Sequence, residues 1–575
     1  MQKQWMLRRR KIDRNILKKI NINPILLSVL ANRGITSETD VVDFMNPSID
    51  KLHDPILMKD MDKGTDIIID AIHKKKKIAI YGDYDADGIT STFILYSAFS
   101  SCGADVKYHI PDRVKEGYGI NEASIECLHK EGFNTIITCD NGISAISQIK
   151  RAKELGMTVV VTDHHDVPFE GTDEIIPDAD AVIDPKQKEC KYPFKMLCGA
   201  GIAFKFVQVV YDKLGIDKNK SFEFIEYAAI GTICDVVDLL GENRIIAKCG
   251  LEMLNRTQNL GIQALVDENS LNIGSITSYH VGFVLGPCIN ATGRLDNAVL
   301  ALKLFLSQDK KTATELAKKL RELNMERQNI TMKGLEEIVD VVENSDLKKD
   351  RVLVVYREGI HESVAGIIAG RLKEKYNLPS IVLTNGEFMA KGSGRSIDEY
   401  NMFEELSKCR DLFENFGGHQ MAAGMSIKHE NIDELRRRLN QNCTLTEKDI
   451  IPKVRIDKAL PLENINFKII KDLKSLEPFG KGNSSPLFAE RNIAVFKVYF
   501  MGKDKNTVKL FCRLKNSMEK MDAIIFNGGK KFRELVLDLN FKTIFMDFVF
   551  SPSINEFNGN TSIQLIVRDF RMSKI

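Results

Sequence analysis

The acidic residues of this chain cluster where a parallel α/β sheet opens to its ligands. YGDYDADG (81–88) places Asp83, Asp85 and Asp87 directly after the apolar run IAIYG (78–82). TIITCD (135–140) ends on Asp140 and continues as Asn–Gly, and TVVVTD (158–163) runs into Asp163, His164, His165 and Asp166. In an open parallel sheet, ligands bind in the crevice beyond the carboxyl ends of the strands. Carboxylates crowded there drive one another toward protonation unless a counter-charge is present. Divalent cations supply that charge, and a mixed Asp/His donor set suits Mn²⁺, with Mg²⁺ as the alternative. A central carboxylate such as Asp140 can bridge two ions roughly 3.5–4 Å apart, a spacing that activates water and clamps an in-line displacement at phosphorus. Each piece alone has a plainer reading, since Asp–Gly after a strand is ordinary turn chemistry and adjacent histidines are often hydrogen-bonded bystanders. Three acidic strand ends in one α/β unit are what point to a metal centre. Asp235 differs in type. It lies in FEFIEYAAIGTICDVVDLL (222–240), read as a mostly buried helix, where a carboxylate is costly unless paired or metal-bound. The bland alternative there is a capping or surface acid.

The elements that must position these groups follow from periodicity. The three runs above and AVID (181–184) are rich in Val, Ile and Thr, and the amphipathic segments 89–100, 121–131 and 143–155 lie between them. That rhythm predicts a parallel sheet of buried strands. From Thr312 to Val342 a charged stretch carries Leu316, Leu320, Leu323, Ile330, Leu335, Ile338 and Val341 at a loose helical period. A helix of about thirty residues spans about 45 Å and would serve as a spacer between domains. A second α/β unit follows, with strands RVLVVYREG (351–359) and SIVLT (380–384), a helix between them, a glycine-rich turn over 417–426 and a helix over 432–442. After about Ile450 come short β segments split by GKDKN and NEFNGN, the texture of a small β-barrel. The expected organisation is an N-terminal helical lead-in (1–60), an α/β catalytic domain (61–300), a connecting helix (301–345), a smaller α/β domain (346–449) and an OB-like barrel (450–575).

Composition sets outer limits. A chain of 575 residues is too long for one core. Lys and Arg total 81 against 79 Asp and Glu, so any polyanion must bind a local groove rather than the net charge of +2. The 11 cysteines form no CxxC, which argues against a disulfide framework or structural zinc and for a reducing compartment. No apolar run reaches the roughly 20 residues of a membrane span. The basic start MQKQWMLRRRK runs into polar DRNILKKININ where a signal peptide needs its apolar segment, so a cytoplasmic location is expected. The Lys74–Lys77 run reads as a solvated loop.

Taken together, DYDADG, DNG, DHH and GTICDVVDL resemble the four motifs of the DHH phosphoesterases. HESVAGIIAGRL (361–372), GSGRS (392–396) and FGGHQMAAG (416–424) resemble the companion DHHA1 domain. LEPFGKGNSSPLF (476–488) and NEFNGNTSIQLIVRDFR (555–571) are similar to the family's exonuclease branch, so the resemblance covers nearly the whole chain. It implies metal ligands at Asp85, Asp87, Asp140, His164 and Asp235, with His165 on the substrate phosphate. Asp83 would stand behind the ligands, and Asp163 would orient a ligand histidine. His419 and Arg395 would reach across from the second domain to the scissile phosphates, Arg113 would read a 5′ phosphate, and Tyr118 would stack on the terminal base. Arg offers phosphate a planar fork, and aromatic stacking tolerates any base. The family often carries a basic residue where this chain has Cys288; Arg294 in the same GPCINATGRLDNA (286–298) is kept as a backbone contact. In the OB-like barrel, Lys497, Tyr499, Phe500 and Lys503 are candidates for holding a strand, against the plainer reading of ordinary strand alternation.

The implied activity is 5′→3′ exonucleolytic hydrolysis of single-stranded DNA by two metal ions, in DNA recombination and repair. Single-stranded DNA is the implied partner, a RecQ-like helicase and a single-strand-binding protein are further expectations, and the chain is expected to be a monomer. One rival is a family member acting on short oligonucleotides or cyclic dinucleotides, which would not need residues beyond about 450. Another is a non-catalytic strand-binding scaffold, which would tolerate empty ligand positions; here all are filled.

Overall fold

The computed structural model describes all residues except 1–2, 11–18, 21, 114, 118, 387, 516–518, 537–542, 558 and 574–575. The chain forms two compact units. One holds Ile49–Val237 and Ile245–Pro452; the other holds Lys3–Ser48, Asp238–Arg244 and Lys453–Ile575.

In the first unit, β1 (Lys77–Tyr81), β2 (Asp105–His109), β3 (Thr135–Thr138), β4 (Thr158–Thr162) and β5 (Ala181–Ile183) form an all-parallel sheet in the order β2-β1-β3-β4-β5. The three strands that end in acids are therefore direct neighbours. The edge strand β2 escapes the sequence reading because DVKYH alternates instead of running apolar, its residues being exposed or half-buried. Helices α1 (Ala86–Ser101), α2 (Gly199–Lys213) and α3 (Ile225–Cys234) pack against one another and carry mostly buried residues. The apolar segment 222–240 is not one helix. Residues 218–224 form a 3₁₀ turn, α3 ends at Cys234, and Val236 has φ 60°, a left-handed conformation that a β-branched residue adopts only under strain.

After α4 (Gly286–Leu295) comes the long helix α5 (Lys310–Glu343), its first turn capped by Asp309, whose Oδ1 accepts from Thr312 N at 2.9 Å. It is not a free-standing spacer. Ala313, Ala317, Leu320, Leu323, Ile338 and Val342 are buried, and α5 packs on α4 and on α6 (Glu362–Tyr376) within the same unit. Gly334 lets the two helices approach closely there: a Cβ would lie 2.7 Å from Ile368 Cδ1 of α6, so that side-chain end would have to shift. The second sheet contains β6 (Leu353–Tyr356), β7 (Ser380–Asn385), β8 (Ala390–Arg395), β9 (Phe413–His419) and β10 (Ala422–Ile427), ordered β9-β10-β8-β7-β6. Only β6 and β7 are parallel. The stretch read as a glycine-rich turn is the hairpin β9–β10 itself, with Gly417 opposite Gly424.

The second unit is a barrel of β11 (Phe488–Met501), β12 (Thr507–Arg513), β13 (Lys520–Ile525), β14 (Ile544–Phe557) and β15 (Asn560–Met572). Its order is β11-β12-β13-β15-β14, closed by pairing of β11 with β14. The N-terminal residues join this barrel: Leu26, Leu27, Leu30, Val41 and Phe44 share one core with Leu473, Leu476, Phe488 and Phe548. Gln4–Leu7 pairs in parallel with Lys453–Ile456. The buried Arg244 guanidinium stacks on Phe44 and donates to the carbonyls of Phe44, Ser475, Leu476 and Glu477.

Candidate metal centre and phosphate pocket

Each strand end presents its acid through local backbone chemistry. Asp85 is the N-cap of α1, its Oδ1 accepting from Asp87 N at 2.9 Å and Gly88 N at 3.1 Å, so cap and site are the same residue. Asn290 of α4 steadies that loop by accepting from Ala86 N at 2.8 Å. Asp140 has φ 62°, an uncommon conformation outside glycine and of the sort that collects at functional sites. Asn141 beside it donates to the carbonyls of Tyr81 and Cys139, which locks the loop in place.

The side chains converge. His164 Nε2 lies 3.0 Å from Asp140 Oδ1, 3.7 Å from Asp87 Oδ2 and 3.8 Å from Asp235 Oδ2. Three overlapping ligand sets arise, Asp87–His164–Asp235, Asp83–Asp85–Asp140 and Asp140–His164–His165, with the donor atoms of each within 4.8 Å of one another. Asp140 belongs to two of them, as a bridging carboxylate would. Asp235 is the C-cap of α3 rather than a mid-helix acid, and 26% of its side chain is exposed.

The electrostatics of the cluster favour a cationic counter-charge. Burial, and then Asp87 and Asp85, drive the Asp140 carboxyl far above the ordinary range. Burial and Asp85 raise Asp87 to about 6, and burial and Asp87 raise Asp235 to about 7. Burial and Asp85 likewise raise Asp83, whose Oδ1 has no hydrogen-bond partner among the described residues. A buried, partnerless carboxylate oxygen is costly unless a cation or donor meets it. The donor set therefore fits hard divalent ions.

Asp163 serves a different histidine from the one expected. Its Oδ1 lies 2.7 Å from Nδ1 of His165, and its Oδ2 accepts from Ile143 N, whereas the His164 ring faces the carboxylates. Burial pulls the His165 pKa down, but Asp163 outweighs it and brings the imidazole to about 9. Asp163 is held to about 2: burial raises it, and the charge and hydrogen bond of His165 more than reverse this. The pair presents a cation at the rim of the carboxylate cluster.

The phosphate-reading candidates also meet. Arg113, Arg294 and Arg395 line one pocket of about 360 Å³ with Ser363, Ser393 and Arg371. Arg294 donates to Ser363 O, and Arg395 Nη1 donates to Gly394 O at 2.8 Å. Burial and then the Arg113 charge lower both guanidiniums, Arg294 to about 10. Glu362 and Glu374 also line this pocket, so its four arginines outnumber its two carboxylates. A larger cavity of about 830 Å³ adjoins it, lined by Tyr84, Arg113, Lys391, Phe416 and Gly417 among others. His419 is exposed at the end of β9, near enough for its charge to act on Asp166 of the DHH loop. Tyr118 lies outside the described residues. Cys288 is buried, with Asn324 of α5 donating to its Sγ, so it faces the helix interior rather than a groove.

In the barrel unit, a register shift in β11 between Val495 and Lys497 turns Phe496, Lys497 and Tyr499 outward beside Lys509, Phe511 and Arg513 of β12. Phe511 lies 6.3 Å from Phe496 and 5.7 Å from Tyr499, between ring centroids. Phe500 instead turns inward against Phe532, and Lys503 is exposed in the turn. Sequence reasoning missed Phe496, because the shift breaks the alternation of β11 that would have revealed it, and it missed Phe511 although β12 alternates regularly.

The all-parallel sheet with its acidic strand ends, joined to the arginine-bearing second sheet, defines a phosphoesterase of the DHH/DHHA1 class. The DHH family N-terminal domain matches residues 77–232, the DHHA1 domain 349–444 and the RecJ OB domain 456–569. The chain is 39% identical to the single-stranded-DNA-specific exonuclease RecJ of Bacillus subtilis, over 99% of this chain and 71% of that one. It is 32% identical to RecJ of Haemophilus influenzae over 98% of each. The crystal structure of RecJ with Mn²⁺ from Thermus thermophilus superposes with a TM-score of 0.83 at 26% identity, covering all of this chain and 80% of that one. A manganese-bound exonuclease RecJ gives a TM-score of 0.59 at 30% identity, over 68% and 96% of the two chains. The chain belongs to the RecJ family.

Proposed function

We propose that this protein removes nucleotides from the 5′ end of single-stranded DNA by metal-dependent phosphodiester hydrolysis, in DNA recombination and repair. The observation that carries this reading is the convergence of Asp85, Asp87, Asp140, His164 and Asp235 in the same unit as the Arg113–Arg294–Arg395 pocket. Those five residues would hold two Mn²⁺ or Mg²⁺ ions, which when bound generate the attacking hydroxide and neutralise the phosphoryl oxygens. The remaining chemistry belongs to the chain itself. The cationic His165, braced by Asp163, hydrogen-bonds the scissile phosphate and stabilises charge as it develops. The arginine pocket takes the terminal phosphate and sets the register of the strand, with Tyr118 stacking on the terminal base. His419 reaches the phosphates from the second sheet. Asp83 supports the ligands from behind. The outward aromatics and lysines of β11 and β12 give the barrel a surface suited to stacking bases.

The chain acts as a monomer in the cytoplasm, on strands that a RecQ-like helicase exposes and a single-strand-binding protein coats. Among the described residues no helix is long and apolar enough to cross a membrane. A digest with Mn²⁺ of 5′-labelled long single strands, the matching blunt duplexes and dinucleotides tests the reading. Mononucleotide release from the single strands is expected; cleavage confined to dinucleotides would overturn it.

A further inference from the structure

Asp87 is the most enclosed of the candidate ligand carboxylates, at 1% exposure, and the potentially cationic side chain that faces it is His164, with Nε2 3.7 Å from Oδ2. Its partners come from a segment with no acid of its own, MLCGAG at the start of α2. Gly199 N donates to Asp87 Oδ2 at 2.7 Å and Ala200 N donates to Oδ1 at 2.9 Å. Cys198, the cap residue of that 15-residue helix, sets its thiol against the same carboxylate. Space around the pair is closed as well. A Cβ at Gly199 would stand 2.6 Å from Asp140 Cβ and 2.9 Å from its Oδ1, and a Cβ at Gly231 of α3 would stand 2.4 Å from Asp87 Oδ1. Two glycines on two helices thus admit two carboxylates that could not otherwise fit.

We propose that the N-terminal turn of α2, through the Gly199 and Ala200 amides and with Gly231 opposite, is the positioning device that presets Asp87 for metal binding. A carboxylate has about four lone-pair sites. One amide on each oxygen, with the Cys198 thiol against the same carboxylate, fixes the rotamer of Asp87 that faces His164 and Asp235. The amides and the positive end of the helix dipole favour the ionised carboxylate. They do so without a competing cation, which would repel the incoming metal. An Arg or Lys partner would have stabilised the same anion while opposing the ion it is meant to bind.

This inference rests on reading the acidic cluster as a metal centre, and the test separates the two. Full-length protein is titrated with Mn²⁺ by calorimetry, with free Mn²⁺ followed by electron paramagnetic resonance. Ala200→Pro deletes the amide to Oδ1 and sets the ring Cδ in place of its hydrogen, at a position in the first helical turn where proline is tolerated. Gly231→Ala keeps that amide but sets a Cβ 2.4 Å from Asp87 Oδ1 and 2.6 Å from Ala200 Cβ, and is the second probe if the proline variant does not fold. Both should keep the metal-free circular dichroism spectrum and bind Mn²⁺ about 10- to 100-fold more weakly. In an Asp87→Asn background, Ala200→Pro should change Mn²⁺ affinity no further, since the group it positions is gone. Unchanged affinity in the variants, or an equal loss in the Asp87→Asn background, overturns the inference. Absence of Mn²⁺ binding by the wild type overturns instead the reading of the cluster.

Discussion

Asp140 concentrates the physical demands on the site. It sits with positive φ at the end of β3, is shared by two ligand sets, and lies nearer His164 Nε2 than Asp87 or Asp235 does. Asp140→Asn keeps the shape and removes the charge. Mn²⁺ binding measured by calorimetry should fall to one weak site or none, and nuclease turnover should drop at least about 10³-fold, since charge stabilisation by the metal pair is lost. Acid should act in the same direction. Asp87 and Asp235 have folded pKa values of about 6 and about 7, raised above their unfolded range by burial and mutual repulsion. Their burial therefore destabilises the metal-free fold progressively as pH rises through about 4 to 7, and protonation at lower pH relieves it. Mn²⁺ must displace those protons, so its apparent affinity should fall about tenfold per pH unit per proton released below about pH 6. The stabilisation that Mn²⁺ gives in a thermal melt should accordingly be larger at pH 8 than at pH 5.5; the opposite order would contradict the raised carboxyls.

At the scale of elements, the two sheets of the first unit divide the labour. β1, β3 and β4 end in acids, whereas β8 and the segment around Arg113 and Arg294 deliver cations to one pocket. Replacing Arg395 with Lys keeps a charge but loses the planar fork. Preference for 5′-phosphorylated over 5′-hydroxyl strands, compared as kcat/KM, should fall about tenfold or more, with Mn²⁺ affinity unchanged. In the barrel, outward and inward aromatics should part company. Tyr499→Ala or Phe511→Ala should weaken strand affinity by about 1–3 kcal/mol per stacked base without changing the melting temperature. Phe500→Ala, on the inner side against Phe532, should destabilise the barrel by about 2–3 kcal/mol.

Across the whole molecule, chain order and structural grouping differ. Of the residues expected as a lead-in (1–60), Lys3–Ser48 group with the barrel unit, as does the short segment Asp238–Arg244, whereas those from Ile49 onward belong to the first unit. The physical reason is legible after the fact. Pro24–Asn32 carries an apolar face that includes Leu26, Leu27 and Leu30, and that face needs a core to bury it. Arg244 is the pin, its fork satisfied wholly by backbone carbonyls of Phe44 and the 475–477 loop. The long helix α5 looked like a spacer because its exposed face is so charged, yet its small and apolar stripe is buried against both α4 and α6.

The sequence by itself determined where the clustered acids fall, because strand ends in a parallel sheet must open at one edge and the spacing of DYDADG, DNG and DHH puts a carboxylate at each. It also determined the barrel, from strand length and turn chemistry. Only the tertiary structure decided which histidine Asp163 braces, that Asp235 ends its helix, and that Phe496 and Phe511 share the outer face of the barrel. Those outcomes depend on side-chain direction after a turn or a bulge, which local patterns do not fix. Nor could sequence spacing bring Gly199 and Ala200 to Asp87. Their amides matter only because α2 docks its first turn on a carboxylate more than a hundred residues earlier, a contact set by helix packing and by the two glycines that leave room for it.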